Sequence, residues 1–316
     1  MRDIITITVN PVIDIHYFME DFQTGRDNIV SCRKIFAAGK GMNVSRALQA
    51  FGISAETFLA LGRENAPEYL QLASDYGVPL SYVSVGGRIR ENISINTPVS
   101  ETRICTKNFA VTPDAFAELR ALIARKTSPE AAIVFSGSLP NGIAQKEFAD
   151  FALSVKGDFP DRKIILDCPS LSLETIASIA PFLIKPNQSE AMSLLGLRGQ
   201  AEESLSQKEI LSAERLRILG RCVHVVVSCG AAGAAYASCG GRSGFVSALD
   251  PGTVCSTVGA GDSMLAGILY GFFYKNAPDL RSALSWGVAF GSAACLTQGT
   301  CPPEKELVFK LLSEME

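Results

Sequence analysis

Short apolar runs rich in β-branched residues recur along the chain, and between them the apolar positions repeat every three to four residues. The runs IITITVN (4–10), TFLALG (57–62), AAIVFSG (131–137), KIILDC (163–168), FLIKPN (182–187) and VHVVVS (223–228) lack the alternation of a half-exposed strand. They predict strands buried on both faces. Helix starts are marked by Asn65 before an Ala-Pro pair, by Thr112 before Pro113, and by Ser256 or Thr257 ahead of the apolar stretch 262–274. Strands alternating with helices across short connections predict a wound α/β fold, a mostly parallel sheet with helices on both faces. The run MLAGILYGFFY (264–274) follows Asp262 and falls well short of the roughly 20 apolar residues of a membrane span, so it predicts a buried helix.

Two segments break this rhythm. Residues 11–36 and 88–111 alternate polar and apolar positions without a helical period, as strands wet on one face do. Either they form an edge hairpin of the main sheet, or they form a separate small β-layer that covers a site. A polar helix-forming stretch lies near 201–209, and the chain shows no internal repeat. One domain spanning 1–316, with the two β-segments inserted in it, is the simplest organisation.

Composition narrows the function classes. The 316 residues are 47% hydrophobic, and 29 basic against 32 acidic side chains give a net charge of −3. A chain this long buries a large core and is not disordered. Without a global basic field, nucleic-acid binding is not expected, nor is a membrane association, so any anion site must be built locally. Nine scattered cysteines with no C-x-x-C pair suit neither a zinc cluster nor a disulfide framework, and MRDIITITVN lacks the apolar core of a signal peptide. Free thiols in a reducing cytoplasm are expected.

The sharpest chemical signal is TVGAGDSMLAG (257–267). Gly259 and Gly261 permit close backbone approach just where the first amides of a helix point outward unsatisfied, so the turn can cradle an anion. Asp262 beside that nest is either a helix-capping carboxylate or a proton acceptor or metal-water ligand. The segment AAGKGMNVSRALQAFG (37–52) opens a helix at Gly39 and Gly41, with Met42, Ala47, Leu48 and Phe51 as its apolar face. Lys40 and Asn43 then fall on the first turn, where a cation opposes the helix dipole and calls for a reason beyond helix stability. In LIKPNQSEAMSLLG (183–196), Asn187 and Glu190 stand three apart, a spacing that capping alone would explain. VVVSCGAAGAAY (225–236) reads as strand, turn and strand, either a plain hairpin or a place where Ser228, Gly230 and Gly233 let backbone meet a ligand. Walker and Rossmann fingerprints are absent, and His224 in an apolar strand reads as a core residue.

Eight ordered segments together resemble the ribokinase-like carbohydrate kinases of the PfkB type. They are TVNPVID (8–14), AAGKGMNVSRAL (37–48), FSGSLPNG (135–142), ILDCPS (165–170), IKPNQSE (184–190), VSCGAAG (227–233), STVGAGDSM (256–264) and GSAACLTQGT (291–300). The resemblance implies a three-layer ribokinase-like α/β fold with a small β-lid. It implies ATP as cosubstrate with Mg²⁺, and a small-molecule sugar phosphate as acceptor. NPVID and AAGKGMNVS look most like the branch acting on phosphorylated hexoses. Fructose-1-phosphate, giving fructose-1,6-bisphosphate, is expected first, with tagatose-6-phosphate or fructose-6-phosphate as alternatives and a non-catalytic sugar-phosphate-binding regulator as a remote one.

Carried over residue by residue, the resemblance assigns sugar binding to Asp14, Gly39, Lys40 and Asn43. It assigns the substrate phosphate to Lys40, Arg90, Arg103 and Ser138, with Arg26 as an extra cation. Asn187, Ser228, Gly230, Gly233, Thr257 and Val258 match nucleotide positions, and Glu190 matches the acidic residue that orders magnesium-bound water. Gly259, Ala260 and Gly261 match the anion hole, and Asp262 the catalytic base. Relatives of this kind often pair through their lids, so a homodimer is expected there. Ser256 stands where many relatives carry Asp or Asn, which in ribokinase-type members helps build a monovalent-cation site, so potassium activation is not expected.

Overall fold

A computed structural model describes residues 3–197 and 205–315. Among them the strands are β1 (Ile4–Thr8), β2 (Val12–Phe18), β3 (Cys32–Ala38), β4 (Ala55–Gly62), β5 (Leu80–Val85), β6 (Arg90–Asn96), β7 (Glu101–Cys105), β8 (Ala132–Ser136), β9 (Lys163–Asp167), β10 (Leu183–Ile184), β11 (His224–Ser228), β12 (Gly233–Ser238) and β13 (Ser243–Ser247). The helices are α1 (Lys40–Ala50), α2 (Ala66–Ser74), α3 (Pro113–Lys126), α4 (Gln145–Lys156), α5 (Leu173–Ile179), α6 (Gln188–Leu194), α7 (Leu205–Leu219), α8 (Ala260–Phe273), α9 (Leu280–Ala294) and α10 (Lys305–Met315). Of the polar stretch near 201–209, residues 201–204 lie outside the described residues, and α7 takes up the remainder.

Nine strands form one sheet in the order β13-β12-β11-β10-β9-β8-β1-β4-β5. It is parallel except at one edge, where β12 runs antiparallel to both β11 and β13. Strand alternation divides the core between two layers of helices. Ile5, Ile7, Ile133, Phe135, Ile164 and Leu166 pack toward α2 to α7, whereas Ile4, Ala132, Val134, Ile165, Leu183 and Val226 pack toward α1, α8, α9 and α10. Each expected buried strand is present, and FLIKPN shrinks to two residues because Pro181 and Pro186 bracket it and proline cannot donate to a ladder.

The segments 11–36 and 88–111 form a second, four-stranded sheet, β3-β2-β6-β7, rather than an edge of the first. Pairing of Asp14 with both Phe36 and Asn92, of Val12 with Arg90, and of Ser94 with Arg103 puts the polar and charged positions on one face. The base of this sheet is stitched to the body. Asn108 Oδ1 accepts from the Arg90 amide at 3.1 Å, and Asn108 Nδ2 donates to Asn10 Oδ1. Asn65 begins α2 as expected, but its side chain does not cap the helix. It holds Ile89 instead, accepting from that amide at 2.7 Å and donating to its carbonyl at 3.1 Å, just where the chain enters β6.

Candidate active site

The order in which strands are added to the large sheet reverses between the parallel neighbours β1 and β8: β1, β4 and β5 build outward one way, and β8 to β11 the other. The carboxyl ends of strands at such a switch point leave a crevice between diverging loops, where ligands of open α/β sheets bind. Here a cleft of about 1100 Å³ opens at that point, roofed on one side by the polar face of the second sheet.

Local sequence places the first group of lining residues. Gly39 follows β3 and caps α1 at φ 137°, with a Cβ there only 2.6 Å from Thr8 Cγ2, so only glycine lets the helix start lie against the end of β1. Lys40 and Asn43 therefore sit on a first turn that faces the cleft. On the other side, Gly259 caps α8 in the left-handed region at φ 81°. The first intrahelical bond is Ser263 N to Gly259 O at 2.8 Å, so the Gly261 and Asp262 amides come before the helical ladder and are placed to meet an anion.

These two helix starts meet. Asn43 Nδ2 donates to Asp262 Oδ2 at 2.8 Å, and Lys40 Nζ lies 3.3 Å from Asp167 Oδ1 at the end of β9. Lys185, at the end of β10, places its Nζ 3.6 Å from the same oxygen. Burial raises the pKa of Asp262 to about 6, with the Asp167 charge adding to the shift while Lys40, Asn43 and Lys185 pull against it. A carboxylate poised near neutrality is suited to proton transfer. For Lys40, burial disfavours the charge, but Asp167 and Asp262 outweigh it and its pKa is raised, so it is cationic throughout the physiological range.

The second sheet supplies the other wall: Asp14, Arg90, Asn92 and Arg103. Burial raises the Asp14 pKa despite a 3.0 Å bond from Asn92 Nδ2, and burial lowers that of Arg90. Several atoms around this end are buried without a hydrogen-bond partner: Thr8 Oγ1, Asn43 Oδ1, Arg90 Nε, Asn92 Oδ1 and Ser136 Oγ. Buried polar atoms of this kind are costly unless something satisfies them, and so dense a set marks the seat of a polyhydroxy or anionic ligand.

Toward the other end lie Asn187, Glu190, Ser228, Gly230, Gly233, Thr257 and Val258, followed by an apolar wall that includes Ala248, Leu249, Val254 and Val288. Asn187 and Glu190 form a reciprocal cap on α6: Asn187 Oδ1 accepts from the Glu190 amide, and Glu190 Oε2 accepts from the Asn187 amide, each at 2.9 Å. The capping role is thus real, and Glu190 also faces the cleft. The partnerless Asp167 Oδ2 and the Glu190 carboxylate offer the all-oxygen donor set that a hard divalent cation such as Mg²⁺ takes, with water completing its shell.

Of the residues expected from sequence, Asp14, Gly39, Lys40, Asn43, Arg90, Arg103 and the whole nucleotide and anion-hole set line the cleft. Two do not. Ser138 lies beyond the end of β8, past the turn at Gly137 (φ 109°), and its carbonyl accepts from Asn10 Nδ2 at 3.5 Å. The strand end instead leaves Ser136 buried near the cleft floor. Arg26 is on the exposed connection between β2 and β3, away from the cleft. Sequence reasoning missed Asp167 and Lys185. Their signal was a charged residue closing an otherwise apolar buried strand, which is meaningful only once adjacent strand ends are known to converge.

The profile of the family described as "pfkB family carbohydrate kinase" matches residues 5–307. The 1-phosphofructokinase of Escherichia coli K12 is 31% identical over 290 residues, covering 91% of this chain and 90% of that protein. The 1-phosphofructokinase of Borreliella burgdorferi is 28% identical over 99% of this chain and 97% of its own. Among solved structures, phosphofructokinase-2 from Escherichia coli in complex with substrates and products superposes with a TM-score of 0.86 at 26% identity, over 99% of each chain.

Proposed function

From the premise that the chain belongs to the pfkB family of carbohydrate kinases, we propose that it phosphorylates a sugar phosphate with ATP, fructose-1-phosphate first, to give fructose-1,6-bisphosphate. The observation that carries this reading is the meeting of Asp262, at an anion-binding helix start, with the Asp14, Arg90 and Arg103 face of the second sheet across one cleft. The 1-phosphofructokinase names of the curated relatives from Escherichia coli and Borreliella burgdorferi favour fructose-1-phosphate over tagatose-6-phosphate or fructose-6-phosphate.

In this reading Asp14 and Asn43 hold sugar hydroxyls, while Arg90 and Arg103 take the substrate phosphate through guanidinium forks that match its geometry. The adenine lies against the apolar wall and the triphosphate runs toward Gly259–Gly261. Asp262 accepts the proton of the attacking hydroxyl as its oxygen bonds to the γ-phosphorus and the bond to the β,γ-bridging oxygen breaks, releasing ADP. Lys40 and Lys185 stand beside the transferring group, and the turn amides face its oxygens, so charge is met by groups already in place. Asp167 and Glu190 would hold Mg²⁺ through oxygen and water, and the ion would neutralise triphosphate charge. The second sheet acts as a lid that excludes water from the transfer.

A homodimer through the outer side of that sheet is part of the same proposal. Ile104 on β7 is 51% exposed, and Ile29 and Val99 in the adjoining loops are 89% and 92% exposed, apolar side chains that a second protomer would cover. Among the described residues no helix is long and apolar enough to cross a membrane, and ATP supply and free thiols fit a cytoplasmic location. The test is an ADP-coupled assay with fructose-1-phosphate, tagatose-6-phosphate, fructose-6-phosphate and free fructose. Turnover on fructose-1-phosphate above the others supports the proposal; preference for the free sugar overturns it.

A further inference from the structure

A buried guanidinium outside the roles already given lies between the two halves of the site. Arg46, on α1, is 7% exposed, and among the described residues no carboxylate lies within ion-pair distance of it. Its Cζ stands 3.8 Å over the Tyr76 ring and 5.9 Å from the Phe36 ring, and Nη1 donates to Thr300 Oγ1 at 3.2 Å. Burying a cation without a counter-charge is costly, and an apolar side chain of similar volume would fill the space more favourably. The arrangement therefore calls for a role beyond packing.

What Arg46 touches supplies that role. Phe36 is on β3, paired with Asp14 on the sheet that holds the sugar end. Tyr76 accepts from the Ala37 amide at 3.0 Å and so fixes the junction leading into Gly39 and Lys40. Thr300 is 5% exposed and lines the cleft, and its Cα is 3.5 Å from the point where a Cβ would stand on Gly259. Its neighbour Gly299 is wedged against the second sheet, where a Cβ would be 3.1 Å from Phe36 Cε2 and 3.4 Å from His16 Nε2. Lys34 of β3 also donates to Gln298 Oε1. The segment 298–300 is thus seated between the sugar-binding sheet and the anion-binding turn, and Arg46 ties its Thr300 hydroxyl to Phe36 of β3 and to Tyr76.

We propose that Arg46, acting through Thr300, is a positioning residue that sets the Gly259–Gly261 turn in register with the sheet carrying Asp14. The reading rests on the kinase function proposed above. It makes correct placement of the transferring phosphoryl group depend on Thr300 being held, and it predicts loss in the chemical step rather than in nucleotide affinity. A misplacement of about 1 Å at such a turn is enough to slow transfer roughly a hundredfold.

The test uses Thr300→Val, which removes only the hydroxyl acceptor, together with Arg46→Met, Arg46→Lys and the Arg46→Met/Thr300→Val pair in the full chain. Steady-state kinetics with ATP and fructose-1-phosphate should show kcat falling roughly tenfold or more in Thr300→Val and Arg46→Met, with the KM for ATP moving less than about threefold. The pair should be no worse than the more damaged single variant, since the two act as one unit, and Arg46→Lys should recover part of the loss. Hydrogen exchange at the Ala260 and Ser263 amides, measured without substrate, should quicken in Thr300→Val. A Thr300→Val enzyme with kcat within about twofold of the parent, or losses that multiply in the pair, overturns the proposal. If the parent turns over no sugar phosphate, the functional reading fails; the exchange data then decide the positioning role, and unchanged exchange in Thr300→Val sinks it.

Discussion

Replacing Asp262 by Asn should remove activity and strengthen the fold, and the two effects have one cause. Asp262 is 7% exposed and its pKa stands near 6 against an ordinary 3.8, chiefly through burial and then through the Asp167 charge. A raised carboxylate pKa means that the folded protein binds this proton more tightly than the unfolded chain does. The stabilisation is complete below the ordinary value and is lost as pH rises through about 6, so at pH 7 the ionised group weighs against folding. A shift of about 2 pH units at about 1.4 kcal/mol each puts the upper bound near 3 kcal/mol. Asn reproduces the shape of the protonated acid without its charge, so Asp262→Asn should gain about 1–3 kcal/mol at pH 7, a rise of roughly 2–6 °C in Tm. At pH 4 to 4.5 the gain should largely vanish, because the parent is by then protonated. In the coupled assay the same variant should lose about 10³-fold or more in kcat, and the parent's kcat/KM should fall as pH drops below about 6. A variant that keeps kcat within about tenfold of the parent would refute the base. Destabilisation of equal size at pH 7 and pH 4.5 would refute the electrostatic argument.

Arg90→Ala and Arg103→Ala should each raise the KM for the sugar phosphate by roughly tenfold or more while leaving the KM for ATP nearly unchanged, because both line the sugar end of the cleft. Equal effects on the two KM values would remove them from the phosphate site. Gly39→Ala should lower Tm and kcat together, since its Cβ would fall 2.6 Å from Thr8 Cγ2 at a backbone angle disfavoured for alanine; an unchanged melting curve would contradict the close approach. Cys295 lines the cleft whereas Cys239 is exposed on the β12–β13 turn, so peptide mapping after maleimide treatment should show ATP protecting Cys295 and not Cys239. Equal labelling of Cys295 with and without ATP would place the nucleotide elsewhere.

Much of the architecture was legible because it rests on patterns local in sequence. Buried parallel strands announce themselves as continuous apolar runs, and the two half-polar segments stood out by their period of two; both became what their patterns imply. The helix starts at Gly39 and Gly259 were equally plain, since glycine followed by an apolar-faced helix has few other uses. Convergence in space was not legible. Asp167 and Lys185 are eighteen residues apart, and only adjacency of β9 and β10 brings them together beside Lys40. Asn65 shows the limit of local capping rules: the residue begins its helix as expected, yet its side chain bonds Ile89, because the chain entering the second sheet offers it a buried amide and carbonyl. Ser138 and Arg26, like Asp14, Arg90 and Arg103, came from the family resemblance without a local pattern behind them, and of these five the last three line the cleft while Ser138 and Arg26 do not.

In the proposed reaction this cleft moves a phosphoryl group from ATP onto a sugar that already carries one. Phosphorus NMR of a reaction of the full chain with Mg²⁺, ATP and fructose-1-phosphate reads that transfer directly. A second phosphomonoester resonance of the sugar should grow in step with ADP, with no inorganic phosphate released. Inorganic phosphate appearing in place of the second ester, or no consumption of ATP at all, would contradict it.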